Sequence, residues 1–403
     1  MEIVLTLNWS SAYRSVRGLV LHLAARWREA GLELVELDVS GPGWADKLRE
    51  ILNTGKVRFV FSTAGVGTNL AMDGQNLWTK LNLPFYSLLM DHPAYFAANH
   101  RNQGKTVVLG YMFRDHALYQ ASDVRAENIV TSIDYGIPNL PVKPAPALAA
   151  QDKPKIIFAK TGNAPAALEQ MWRGAPMLEA ILHDALDELD FARKGVANVA
   201  QFHPLLNKVA AAHKIELQPF SHLSRFLIVQ LDDYIRRLKS TAIAKAILPF
   251  EVDVFGTAWE HIDKTGARAT FHGPVDYARL EAEFPNATAS ITMNPNIELS
   301  AHDRFFTALG AGSMPISDRN QYCETTFPEL LPYMFDFTKG SIEAAVEHVV
   351  NKPADALELA RATRTRTRDA HGVEQAADAI LQTVQAARFL GAGPRAEQNF
   401  FVP

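Results

Sequence analysis

Apolar positions along the chain fall into two alternating patterns. Ile3 to Leu7 is a short apolar run ending at a polar stretch, Asn8 to Ser11. The next segment, to about Ala30, carries Val16, Leu19, Val20, Leu23 and Trp27 at helical spacing, which gives strand, loop, helix. The alternation recurs through Leu32 to Val39, a helix from Trp44 to Leu52, Val57 to Phe61, a helix around Leu77 to Leu81, and Phe85 to Met90. Runs at Thr106 to Leu109 and Ile129 to Ile133 extend it. Short apolar strands alternating with helices predict a parallel sheet covered on both faces.

Five prolines lie between Pro138 and Pro154. That composition breaks strand and helix alike and suits an extended connector, so the boundary between two domains is placed there. Lys155 to Ala159 begins a second series, followed by Lys160-Thr161-Gly162-Asn163 and a helical stretch from about Ala166 to Leu189. Positions 223, 226, 227, 231, 235 and 238 form the apolar face of a buried helix, with Arg236, Arg237 and Lys239 expected in its last turns, where cations suit the dipole. Short runs at Val252 to Phe255, Ala269 to Phe271, Ser290 to Met293 and Met314 to Ile316 make this half doubly wound as well. From Ile342 to about Leu390 the pattern is helical. The expected organisation is a first Rossmann-like domain over 1–140, a linker over 141–154, a second Rossmann-like domain over 155–390 and a tail over 391–403.

Composition narrows the function classes. Of 403 residues, 48% are hydrophobic and 21% charged, which excludes a disordered or collagen-like chain. Forty basic against forty-four acidic side chains give a net charge of -4, without the cationic excess of a nucleic-acid or anionic-lipid binder. Cys323 is the single cysteine, so neither an internal disulfide nor a structural zinc cage can form, and a reducing, cytoplasmic setting is expected. Its polar neighbours suggest a surface thiol. The start of the chain lacks a signal-peptide pattern, and no run approaches the length of a transmembrane helix.

Several familiar motifs fall short. Gly65-Val66-Gly67 opens like a dinucleotide fingerprint, but Leu70 stands where the third glycine belongs, and the loop follows the third strand. Gly104-Lys105-Thr106 has Asn99 where a phosphate loop needs glycine. His92, His100 and His116 lack paired metal-ligand spacing, so no metal site is expected.

The informative stretch runs from Phe255 to Arg319. It contains Phe255-Gly256-Thr257-Ala258-Trp259, Phe271-His272-Gly273-Pro274-Val275-Asp276-Tyr277, Met293-Asn294-Pro295-Asn296, and Arg304-Phe305-Phe306-Thr307-Ala308-Leu309-Gly310-Ala311-Gly312. Strand ends carrying Gly, Asn or Asp are where doubly wound sheets bind ligands. Ser300 can cap the helix after it, leaving first-turn N–H groups for an anion. Arg304 in that first turn opposes the dipole; either it binds a diphosphate, or it pairs with Asp303 or another surface acid. Two glycines at the helix end, Gly310 and Gly312, suggest close approach to a neighbour or ligand.

This layout resembles the carboxyl-terminal half of GT-B glycosyltransferases, in particular the group related to the spore-maturation protein CgeB, over about residues 225–390. The resemblance implies two Rossmann-like domains facing a central cleft and a nucleotide-sugar donor, a UDP-sugar foremost, held by the second domain without metal or other cofactor. Gly256 and Trp259 would line the cleft, and the loop with His272, Gly273 and Tyr277 would meet the base. Asn294, Arg304 and the helix start would meet the diphosphate, and Asn296 is a further substrate-binding candidate beside them. Where related retaining enzymes carry two glutamates this chain has Leu299 and Thr307, so Thr307, Asp303 or Asp318 would replace the carboxylate that holds the ribose. Lys160 and Asn163 form a second phosphate candidate, with a solvated loop charge as the other reading of Lys160.

The first domain would then take a protein or glycan acceptor at strand ends bearing Asn8, Gly65 and Gly67. There Asp91-His92 would be the base for the acceptor hydroxyl, unless Asp91 only organises a turn. The expected activity is hexosyl transfer. A catalytically inactive sugar-nucleotide binder and a sugar-nucleotide epimerase are the alternatives.

Overall fold

The computed structural model describes residues 1–9, 15–100, 104–123, 128–143, 153–191 and 198–392. They divide into two compact units, one holding residues 1–136 together with the chain from Ala370 onward, the other residues 137–369.

In the first unit β1 (Glu2–Asn8), β2 (Leu32–Asp38) and β3 (Val57–Thr63) are followed by a small antiparallel hairpin of β4 (Ala71–Met72) and β5 (Gln75–Asn76). Then come β6 (Phe85–Leu89), β7 (Val107–Tyr111) and β8 (Ile129–Ser132). The main sheet runs β2-β1-β3-β6-β7-β8, and every pair in it is parallel. Its central strands are buried along their length, as expected of a sheet covered on both faces. Leu19, Val20, Leu23 and Trp27 of the helix Ser15–Glu29 bury their apolar stripe, Trp27 standing edge-on to Phe59 and Phe61.

The second unit contains β9 (Ile156–Ala159), β10 (Val252–Phe255), β11 (Thr270–His272), β12 (Ala289–Ile291), β13 (Met314–Asp318) and β14 (Met334–Phe335). They form an all-parallel sheet in the order β11-β10-β9-β12-β13-β14, that is 3-2-1-4-5-6 within the unit, the Rossmann arrangement. Both sheets are thus doubly wound. Strand order reverses between β1 and β3 in the first and between β9 and β12 in the second, and each reversal opens a crevice at the carboxyl ends of those strands.

Several expectations are corrected. The helix Val373–Ala392 belongs to the first unit, not the second domain: the Trp27 indole N–H donates to Ala377 O at 3.2 Å, and Arg26 pairs with Asp378 at 2.9 Å. Residues 137–143 pack on the second unit, where Arg361 and Arg364 donate to the carbonyls of Lys143 and Leu140. Most of the expected linker, 144–152, and the tail from 393 lie outside the described residues. Gly310 serves close approach to a neighbour, since a Cβ there would lie 2.5 Å from Pro138 O. Cys323 is fully buried rather than a surface thiol, because it sits on the core side of a helix capped by Asn320. The helix carrying Arg236, Arg237 and Lys239 runs His222–Ala246, so these cations lie in its interior and not in its last turns.

Candidate functional site

The crevice at the end of β9 is built on a turn, Lys160 to Gly162, folded against the loop that leaves β10. Lys160 N–H donates to Phe255 O (2.9 Å), and Gly162 N–H to Thr257 O (2.8 Å). At Gly256, φ is 140° and a Cβ would lie 2.1 Å from Lys160 O; at Gly162 a Cβ would lie 2.1 Å from the Trp259 ring. Only glycine permits these contacts. The Trp259 indole N–H donates to Lys160 O at 3.1 Å.

The Lys160 side chain lies in a charged setting. Burial pushes its pKa down to about 7, with Arg236 and Arg304 repelling its charge and Asp233 and Asp232 partly offsetting them. Asp232, Asp233 and Arg236 come from the long helix, where Arg236 pairs with Asp232 (3.5 Å), and Arg237 bridges Asp233 (2.7 Å) and Ala164 O (3.1 Å). Sequence reasoning missed this contribution. The signal was present as acid-to-arginine pairs four residues apart, at 232/236 and 233/237 on a helix with an otherwise apolar face.

Arg304 comes from the helix Asp303–Gly310 on the far side of the switch point. Its N-cap is His302, not Ser300: His302 Nδ1 accepts from Arg304 N–H at 3.3 Å and lies 2.5 Å from Asp303 Oδ1. Burial opposes the Asp303 charge, but His302 and Arg304 hold its pKa down to about 2. His302 is itself lowered by burial, against the pull of Asp303. The Arg304 guanidinium has no hydrogen bond or ion pair among the described residues, and neither has Lys160 Nζ. Two half-buried cations, neither of them in a hydrogen bond or ion pair among the described residues, thus flank a Rossmann switch point, where an anion with more than one negative charge would be attracted.

The structure brings Lys160, Tyr277, Asp303, Arg304 and Thr307 together. Burial pushes the Tyr277 hydroxyl up, with Asp303 and Glu281 adding to the rise and Thr307 and Arg304 opposing it; Thr307 Oγ1 donates to Asp303 O at 2.9 Å. Asn163 is exposed in the Lys160 turn. Other candidates have different work. Asn294 is 1% exposed and spends its side chain on Asp318 O (3.1 Å), Ser317 Oγ (3.4 Å) and the His302 N–H (3.0 Å), which places it under the loop rather than against a ligand. Asn296 Nδ2 is held by Asp232 (2.9 Å), and Asp318 by Lys239 (3.1 Å) and Asn294 N–H (2.7 Å). Gly256 and the buried Trp259 support the Lys160 turn instead of lining the crevice. His272 stacks on Phe255 and reaches Asp253 at 2.8 Å, with Gly273 exposed beside it.

In the first unit, Asn8 donates to Glu36 (3.2 Å) at the end of β1. The Gly65–Thr68 turn is pinned by Ser87 (Gly65 N–H to Oγ, 3.1 Å) and by the Trp78 indole (to Gly67 O, 2.8 Å). A Cβ on Gly67 would lie 2.5 Å from Leu7 Cδ1, so both glycines are explained by packing. His92 is 1% exposed, packs against the rings of His116 and Tyr119, and is pushed down to about 3 by burial. Burial thus favours the neutral form of this imidazole. Asp91 is half-buried at the end of β6. Among the described residues no group of three or more His, Cys, Asp or Glu is placed to hold a metal ion, and no helix is long and apolar enough to cross a membrane.

No curated protein sequence matches the chain. Among solved structures, a glycosyltransferase from Rickettsia africae ESF-5 is similar at 12% identity and a TM-score of 0.46, over 96% of this chain and 98% of that one. The apo form of the lipopolysaccharide outer core galactosyltransferase WaaB gives 9% and 0.45, over 95% and 100%. S. aureus MnaA, solved with UDP, gives 9% and 0.41, over the whole of both chains. A family model described as glycosyl transferase-like matches residues 235–382. The matched segment contains Arg236, Trp259, Tyr277 and Arg304.

Proposed function

We propose that the protein is a hexosyltransferase of the GT-B type that moves a sugar from a nucleoside-diphosphate sugar, a UDP-sugar foremost, to a hydroxyl of a glycan or protein acceptor. The observation that carries the reading is the pair of cations, Lys160 and Arg304, that make no hydrogen bond or ion pair among the described residues and lie across the switch point of the second sheet, in and beside the segment that matches the glycosyl transferase-like model. Such cations match the two charges of a diphosphate and would stabilise it as it leaves, when negative charge grows on its oxygens. Lys160, Arg304 and the nearby Arg236 supply the positive charge that other enzymes take from a cation, so transfer is proposed to proceed without metal. Tyr277, Thr307 and Asp303 are the proposed contacts to the nucleoside. The acceptor is assigned to the first unit, with Asp91 taking the proton of its hydroxyl. The single buried cysteine is consistent with work in the cytoplasm.

Thermal unfolding with UDP, GDP and dTDP sugars tests the reading. A ligand at 100 times its dissociation constant adds about 2.7 kcal/mol of stability. UDP-sugars should raise the melting temperature of the wild type and not that of Arg304→Ala, whose own melting should stay within a few degrees. Donor hydrolysis or transfer, unaffected by a chelator, distinguishes the enzyme from a binder without turnover, and Asp91→Asn should lower transfer while leaving donor binding intact. Full stabilisation of Arg304→Ala by nucleotide would overturn the assignment.

A further inference from the structure

We propose that Trp259 is a positioning residue for Lys160: without touching ligand, it serves as the template on which the 160–162 turn is folded, and so fixes where the Lys160 ammonium is presented. The inference rests on the reading of Lys160 as an anion ligand. Trp259 is 3% exposed, so contact with a substrate in the crevice does not account for its bulk, and two of its contacts address this turn. Its indole N–H donates to Lys160 O, and its ring covers Gly162 so closely that no side chain fits between them.

The rest of the loop is shaped to allow that contact. Ala258, the residue before Trp259, holds a left-handed backbone with φ of 62°, a conformation that non-glycine residues adopt at a cost and that surrounding contacts must maintain. Gly256 opens the opposite side, where a Cβ would collide with Lys160 O. The outcome is a lysine held among Arg236, Arg304 and the imidazole of His302, with Asp232 and Asp233 drawing on its charge from the long helix. Left to itself, a lysine on a free loop would swing away from two arginines into water. Trp259 prevents that.

The lysine reports its own position, so the test does not depend on a ligand. Acylation of Lys160 by a water-soluble activated ester, followed by mass spectrometry as pH is raised, should show a midpoint near 7 in the wild type. Trp259→Phe keeps an aromatic ring and removes the donor, and the midpoint should rise toward the ordinary lysine range as the turn relaxes into solvent. Gly162→Ala should shift it the same way with the indole intact, which covers the case in which Trp259→Phe folds poorly. In a UDP titration, Trp259→Phe should weaken binding about tenfold, the loss of one charge-assisted contact, and should have no further effect once Lys160→Met is present. A wild-type midpoint in both variants, or additive losses in the double variant, overturns the proposal. A moved midpoint in a protein that binds no UDP supports the positioning role and rejects the anion site.

Discussion

Lys160 is the residue on which burial, charge and ligand chemistry meet. Its folded pKa is lowered to about 7, so above that pH the free protein holds it neutral, whereas a bound diphosphate favours the ammonium. Binding therefore takes up a proton above pH 7. UDP affinity is expected to fall as pH rises through that value, by up to about tenfold per unit for one linked proton, and Lys160→Met should bind weakly with a flat profile over the same range. A flat wild-type profile in a calorimetric titration would show that Lys160 does not contact the anion. At this scale the placement of charge was legible in the sequence, as at Arg304, which stands in the first turn of its helix as expected. The sequence was illegible at Asn294 and Trp259: a polar or aromatic residue at a strand end looks alike whether it faces ligand or holds the loop from behind, and only the hydrogen-bond partners separate the two. The burial of His92 against His116 and Tyr119 likewise leaves no mark in the adjacent residues.

Among the elements, the parallel strands were readable because both faces are buried and each strand is a short apolar run. Their termini and the shortest pairs, such as β14 and the hairpin β4–β5, carry too few apolar positions to stand out. The long helix His222–Ala246 was recognised from its apolar face but ended too early, because internal arginines were read as a C-terminal turn. Their real setting is the edge of the crevice. The last helix was placed with the wrong unit, since an amphipathic stripe gives no address for the surface it covers. Ile380 on that helix is fully buried. Ile380→Ala should destabilise the first unit by about 2–5 kcal/mol in a denaturant titration and leave UDP affinity of the second unit unchanged. Equal loss of nucleotide binding would mean that the helix serves the second unit instead.

For the molecule as a whole, two sheets wound in different orders, 2-1-3-4-5-6 and 3-2-1-4-5-6, each place their reversal beside a different kind of surface. Among the described residues the first reversal offers glycine turns held by their own hydrogen bonds, and the second offers Lys160 and Arg304. With a net charge of only -4 spread over 403 residues, this local excess of cations is a property of the site and not of the chain. The division of labour proposed above, donor in the second unit and acceptor in the first, follows from that contrast. A crystal structure of the protein soaked with UDP tests it most directly. Diphosphate oxygens are expected within hydrogen-bonding distance of Lys160 Nζ and the Arg304 guanidinium; a diphosphate that touches neither, or UDP in the first unit, would overturn the assignment of the donor to this site.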